Sequence, residues 1–120
     1  MTEQNILLLR DLAEAGKVQF KERIVSKDDK YEIGREMVAF SNSHGGRLII
    51  GINDKSGEIN ALSYQELQET TNLLTNIASE NVIPTVLIEV ENTPVTDGAV
   101  VIATIPEGKN KPYHDNKDVI

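Results

Sequence analysis

The chain of 120 residues has no cysteine, no tryptophan and few aromatic side chains: Phe20, Tyr31, Phe40, Tyr64 and Tyr113. Without cysteine there is no disulfide framework, no thiolate metal site and no cysteine nucleophile, and a reducing, cytoplasmic setting is expected. With so few aromatics the core must rest on Ile, Leu and Val. Long apolar runs are missing as well. No stretch approaches the ~20 residues needed to span a bilayer. The opening MTEQNILLLRDL has neither the basic start nor the apolar length of a secretion signal, so no membrane partner is expected. No Lys-Ser or Lys-Thr pair directly follows the glycines at 45 and 46, which removes a Walker-type loop and leaves ATP unexpected. No serine with a histidine and an orienting acid can be assigned, so a hydrolase triad has no support.

An overall basic excess is also lacking. The net charge of −7 argues against a protein that coats nucleic acid without selectivity, since phosphate neutralisation needs a basic face. The charge is unevenly spread, however. Between residues 17 and 55 eight basic side chains face six acidic ones, a balance of +2, and the remainder carries −9.

The periodicities outline the elements. Residues 3–13 read as a first helix, capped by Thr2 and carrying Ile6, Leu8, Leu9 and Leu12, with Gly16 as its stop. Residues 17–22 alternate like a half-buried strand, with Val18 and Phe20 on one side and Lys17, Gln19 and Lys21 on the other. A polar stretch at 26–30 precedes a second helix at 31–43, with Ile33, Met37 and Phe40 along one side. Gly45 supplies a left-handed cap. Residues 47–53 form a continuous apolar strand, and a tight turn at 54–57 returns into a short strand at 58–61. Ser63 and Glu66 make a capping box for a third helix that ends near Asn81. Strands at 85–91 and 98–105 follow, joined through Pro94 and Asp97-Gly98. Residues 109–120 are polar and weakly patterned. The order implies an α+β fold: one domain over residues 1–120, with a mixed, mostly antiparallel sheet and about three helices. The abrupt end at Val119-Ile120 leads us to expect the N-terminal part of a longer protein.

Several polar residues have a structural reading beside a functional one. Gly45 and Gly46 serve helix termination and close packing, or present N–H groups to an anion. Asp54 suits a turn or a metal. Asn42 bonds backbone groups or a base. His44 answers the dipole at a helix C-terminus or takes part in catalysis.

Four landmarks occur in order. Glu14 and Gln19-Phe20-Lys21 open the series, followed by Ala39-Phe40-Ser41-Asn42-Ser43-His44-Gly45-Gly46. The strand end Ile50-Gly51-Ile52-Asn53-Asp54 comes next, then Ile105-Pro106-Glu107-Gly108 with Pro112-Tyr113-His114. Together they resemble the Schlafen-type AlbA-like domain from about residue 14 to residue 113.

The resemblance implies a DNA-binding domain of a bacterial transcriptional regulator, with no catalysis of its own and no cofactor. Lys17, Lys21, Arg23 and Arg47 would contact phosphates of DNA or RNA, and Lys109, Lys111 and Lys117 could extend the patch. Some Schlafen proteins instead use three acidic residues as a metal-dependent endoribonuclease site on structured RNA such as tRNA. The matching positions here are Glu14, Gln19 and Asp54, with Glu14 and Asp54 as the ligands of Mg²⁺ or Mn²⁺. A glutamine amide at the middle position leaves two anionic ligands where three are expected, which weakens metal binding and water activation. Glu22 falls on the opposite face of the strand from Gln19 and cannot replace it. A third reading is a structural or oligomerisation module, and exposed strand edges would allow a homodimer.

Overall fold

The computed structural model describes residues 16–116. Glu14, Lys117 and the helix expected at 3–13 lie outside the described residues.

The first strand, β1 (Val18–Lys21), runs parallel to β2 (Gly46–Ile50), with Val18 beside Arg47 and Lys21 beside Ile50. A parallel pair needs a long crossover, and α1 (Lys27–Asn42) supplies it. This helix begins four residues before the expected start, because a second capping box precedes it. The Ser26 hydroxyl accepts from the Asp29 amide at 3.1 Å, and the Asp29 carboxylate accepts from the Ser26 and Val25 amides. At its other end the Phe40 carbonyl accepts from the amides of Ser43 and Gly45. Gly45 has the positive φ of 80° that such a terminus requires.

β2 is shorter than the apolar run at 47–53. Gly51 (φ 112°) turns the chain, and only isolated bridges follow, Ile52 to Ile59 and Leu62 to Ala99, in place of the expected strand at 58–61. The box at Ser63 and Glu66 then opens α2 (Tyr64–Glu80) as read from the sequence.

A short strand β3 (Val82–Ile83) follows α2. The hairpin after it differs most from expectation. Its strands are β4 (Glu89–Val95) and β5 (Gly98–Ile105), joined by a two-residue turn at Thr96-Asp97, with Asp97 at φ 68°. Residues 85–88 have no regular structure. Pro94 suggests a loop, yet it is tolerated on an edge strand where its missing N–H faces away from the ladder. β3 pairs with β6 (His114–Asp115), a two-residue ladder too short to leave a sequence pattern.

The main sheet has the order β1-β2-β5-β4, with β2–β5 and β4–β5 antiparallel. Leu48, Ile50, Val101, Ala103 and Ile105 pack with Ile33, Met37 and Phe40 of α1 and Leu74 and Ile77 of α2. Fully burying such a side chain contributes roughly 1.5–3 kcal/mol. The other face carries a smaller cluster of Val18, Ile49, Ile52, Val100 and Ile102. The architecture is thus α+β with a mixed sheet. Among the described residues no helix is long and apolar enough to cross a membrane.

Candidate functional site

The family-like segments meet where α1 ends and β2 begins. Gly46 lies under the Phe40 ring, and a Cβ there would come within 2.3 Å of ring carbons. A Cβ on Gly45 would meet the Ile105 carbonyl oxygen at 2.7 Å. The double glycine is therefore required by a helix end, an aromatic ring and a neighbouring strand packed at close range.

Asn42 makes a reciprocal pair with a residue far along the chain. Its side-chain amide donates to the Tyr113 carbonyl at 3.0 Å, and its oxygen accepts from the Tyr113 amide at 2.7 Å. The Tyr113 ring leaves room for no more than a glycine at 108. The Gly108 amide donates to the Ser41 carbonyl. The second and fourth landmarks thus form one clasp, and Asn42 serves it through backbone groups.

Beside this clasp is an open groove of about 490 Å³, lined by Lys17, His44, Gly45, Gly46, Arg47 and Glu107, among others. The Arg47 amide donates to the Lys17 carbonyl at 3.0 Å, which fixes the two cationic residues on adjacent strand starts. No ion pair among the described residues engages the charged end of either. Across the groove, Lys111 Nζ approaches Glu107 Oε2 at 2.8 Å, and His44 Nδ1 lies 3.5 Å from Glu107 Oε1. The Lys111 ammonium and then His44 hold the Glu107 carboxyl below the ordinary carboxylate range.

The other two basic residues singled out in the sequence are already engaged. Lys21 Nζ lies 2.9 Å from Glu32 and 3.1 Å from Asp29. Burial depresses the Lys21 pKa, but the hydrogen bonds and charges of Glu32 and Asp29 outweigh it and raise the ammonium above its usual value. Arg23 donates from Nε to Glu66 at 2.8 Å, from Nη1 to the Glu22 and Asn60 carbonyls and from Nη2 to the Ala61 carbonyl. The backbone hydrogen bond from Ser63 and then the Arg23 contact keep the Glu66 carboxyl low.

Gln19 and Asp54 both line a separate cavity of about 100 Å³ beside α1, with Lys21, Glu32 and Glu36. Asp54 is exposed and does not hold its turn. Asn53 does that, accepting from the Lys55 and Ser56 amides at 2.9 Å. Glu36 was not singled out in the sequence. Burial, then the nearby Glu32 charge, raise its carboxyl above the ordinary value. Its signal was the spacing from Glu32, which puts both carboxylates on one helix face. Among the described residues no group of three His, Cys, Asp or Glu side chains could hold a metal ion. Gln19 and Asp54 alone do not make such a site.

Comparison with known proteins finds the same fold in solved structures. The solution structure of the N-terminal domain of a RecG-related protein from Nitrosomonas europaea superposes with a TM-score of 0.74 at 15% identity, covering 100% of this chain and 84% of that one. The crystal structure of the DIP2311 protein from Corynebacterium diphtheriae matches with a TM-score of 0.54 at 18% identity, covering 85% of this chain but only 20% of that protein. At these identities the likeness is one of fold. A comparison with curated proteins finds no match. The family model described as Schlafen, AlbA_2 matches residues 14–120, and the chain belongs to that family.

Proposed function

We propose that this domain associates with nucleic acid through the groove that holds Lys17 and Arg47, as the DNA-binding module of a transcriptional regulator working in the cytoplasm. The observation that carries the reading is the pairing of two cations on adjacent strand starts, with no ion pair to a carboxylate among the described residues. His44 lines the same opening, and Lys111 pairs with Glu107 on its wall. Phosphates attract such a pair without reading sequence, and an acidic remainder turns that one face toward the polyanion. Family membership supports the class of partner, as does a structural neighbour described as related to a DNA helicase.

Fluorescence anisotropy with labelled DNA and RNA, single-stranded and duplex, at ~50 and ~200 mM salt tests the reading. Binding is expected at the lower salt. The double variant Lys17→Ala/Arg47→Ala should weaken it and lower the salt slope by roughly two, one for each cation removed from a phosphate. No binding at ~50 mM salt, or binding that the double variant leaves intact, overturns the proposal.

One observation favours a second reading. Gln19 and Asp54, which the resemblance pairs at a ribonuclease site, line the same cavity. Cleavage of tRNA with Mn²⁺, abolished by Asp54→Ala and increased by Gln19→Glu, would establish it. Absence of cleavage by both the parent chain and Gln19→Glu would remove it.

A further inference from the structure

Among the described residues β4 is the outermost strand of the main sheet, paired on one side only. Its hydrogen-bonding phase follows from its turn. The two-residue connection makes Val95–Gly98 a bonded pair, and an antiparallel ladder then alternates. The next pair, Pro94–Ala99, is unbonded, and the structure agrees: Ala99 exchanges its amide and carbonyl bonds with Leu62, at 3.2 and 2.8 Å. Val90, Asn92 and Pro94 therefore turn their backbone groups outward, where no described residue meets them. The edge offers the amides of Val90 and Asn92 and the carbonyls of all three, at the two-residue spacing of an extended chain.

The side chains flanking this edge differ between its faces. Glu89 and Glu91 are exposed on the face away from the helices, and no ion pair among the described residues engages either. On the helix face, a groove of about 580 Å³ separates the strand from α2, lined by Tyr64, Leu67, Gln68, Thr71, Asn72 and Asn92. Tyr64 is 77% exposed at its mouth.

We propose that the outer edge of β4, with this groove, takes up an extended basic peptide segment of a partner protein as an added strand. Main-chain bonds to Val90 and Asn92 would hold the peptide. Lysine or arginine at alternate positions would stand opposite Glu89 and Glu91, and the intervening side chains would enter the neutral groove.

Charge selects this occupant over a second copy of the chain. When Val90 and Asn92 bond to their counterparts across a two-fold axis, Glu91 faces Glu91 of the copy or Glu89 faces Glu91, and like charges directly opposite are destabilising. The remaining register that centres on Asn92 sets Val90 against Pro94, which has no donor.

The test uses the intact chain and three labelled peptides. One is Thr-Lys-Val-Lys-Val-Lys-Thr, the second has glutamate for lysine, and the third is the lysine peptide N-methylated at alternate residues. Anisotropy should show the lysine peptide binding and the glutamate peptide failing. N-methylation should weaken binding at least tenfold. Amide exchange should slow at Val90 and Asn92. The exposed double variant Glu89→Lys/Glu91→Lys should lose about tenfold for the lysine peptide and gain the glutamate peptide. Equal binding of the N-methylated peptide, or protection elsewhere in the chain, overturns the proposal. So does protection of Val90 and Asn92 by an oligonucleotide, or a dimer in light scattering that Glu91→Lys alters.

Discussion

Lys17 precedes β1 and Lys21 ends it, so one short strand carries a cation at each end. At the first end Lys17 adjoins Arg47, and among the described residues no ion pair to a carboxylate neutralises the two. At the second, Lys21 is clamped by Asp29 and Glu32, and Arg23 spends its donors on Glu66 and three carbonyls. The residue types are the same at both ends. What differs is the topology around them. The α1 N-terminus and the α2 cap bring acidic groups to the far end of β1, whereas the double glycine brings backbone to the near end. A cation is available to a ligand only where the fold has supplied no internal anion.

The widest separation between the two ends is expected from Arg23→Ala. It removes a charged hydrogen bond and leaves the Asn60 and Ala61 carbonyls without their donor, a loss of about 2–3 kcal/mol. Denaturant unfolding should record it, while nucleic-acid affinity of the folded protein stays unchanged. Lys17→Ala/Arg47→Ala should do the reverse, shifting stability by no more than about 0.5 kcal/mol. Loss of affinity in Arg23→Ala at full occupancy of the folded state would break the contrast.

Asn42→Ala comes next, at about 2 kcal/mol, because two hydrogen bonds to Tyr113 disappear and part-buried backbone groups lose their partner. This change also touches the open end of the comparison. Glu107 lines the cationic groove on the segment that Asn42 pins, so amide exchange should quicken from 107 to 115 and affinity should fall in step.

Much of this is legible in the sequence. Helix caps, apolar periodicity and the double glycine each act within a few residues, and they locate α1, β2 and α2. The Ser26–Asp29 box obeys the same local rule, but its signal is weaker because aspartate stands where glutamate is the commoner partner. The hairpin is displaced from its expected place because Pro94 signals a loop wherever edge position is unknown. The carboxylate partners of Lys21 and Arg23 and the Tyr113 partner of Asn42 are invisible for another reason: they lie 8 to 71 residues away along the chain, joined only by packing. The two ends of β1 therefore look alike until the topology separates them.

Asp29→Asn bears on the engaged end directly. The Val25 and Ser26 amides, then Lys21, hold the Asp29 carboxyl at about 2, against 3.8 for the free group. A depressed carboxyl stabilises the fold above its unfolded value, and that contribution is lost as pH falls from 3.8 towards 2. The asparagine variant should lose about 1 kcal/mol at neutral pH through the weakened cap. It should also show a smaller fall in melting temperature across that acid range. Combined with Glu32→Gln it frees Lys21, and if internal anions are what withhold this lysine, the salt slope of nucleic-acid binding should rise by about one.

The smallest effect carries the same contrast into the core, where a polar group without a partner is destabilising rather than useful. The hydroxyls of Ser41 and Thr93 find no hydrogen-bond partner among the described residues, and both residues are at most 1% exposed. Burying an unpaired hydroxyl costs free energy because its bonds to water are not replaced. Ser41→Ala removes that liability with little change in volume, and Thr93→Val replaces the hydroxyl with a methyl beside Val100 on the second face of the sheet. Each is expected to raise stability, by up to about 1 kcal/mol, as thermal unfolding would record. Neither should alter binding at the Lys17–Arg47 groove. A loss of stability in Ser41→Ala would mean that the hydroxyl has a partner in solution, and that this part of the core belongs with the engaged end of β1.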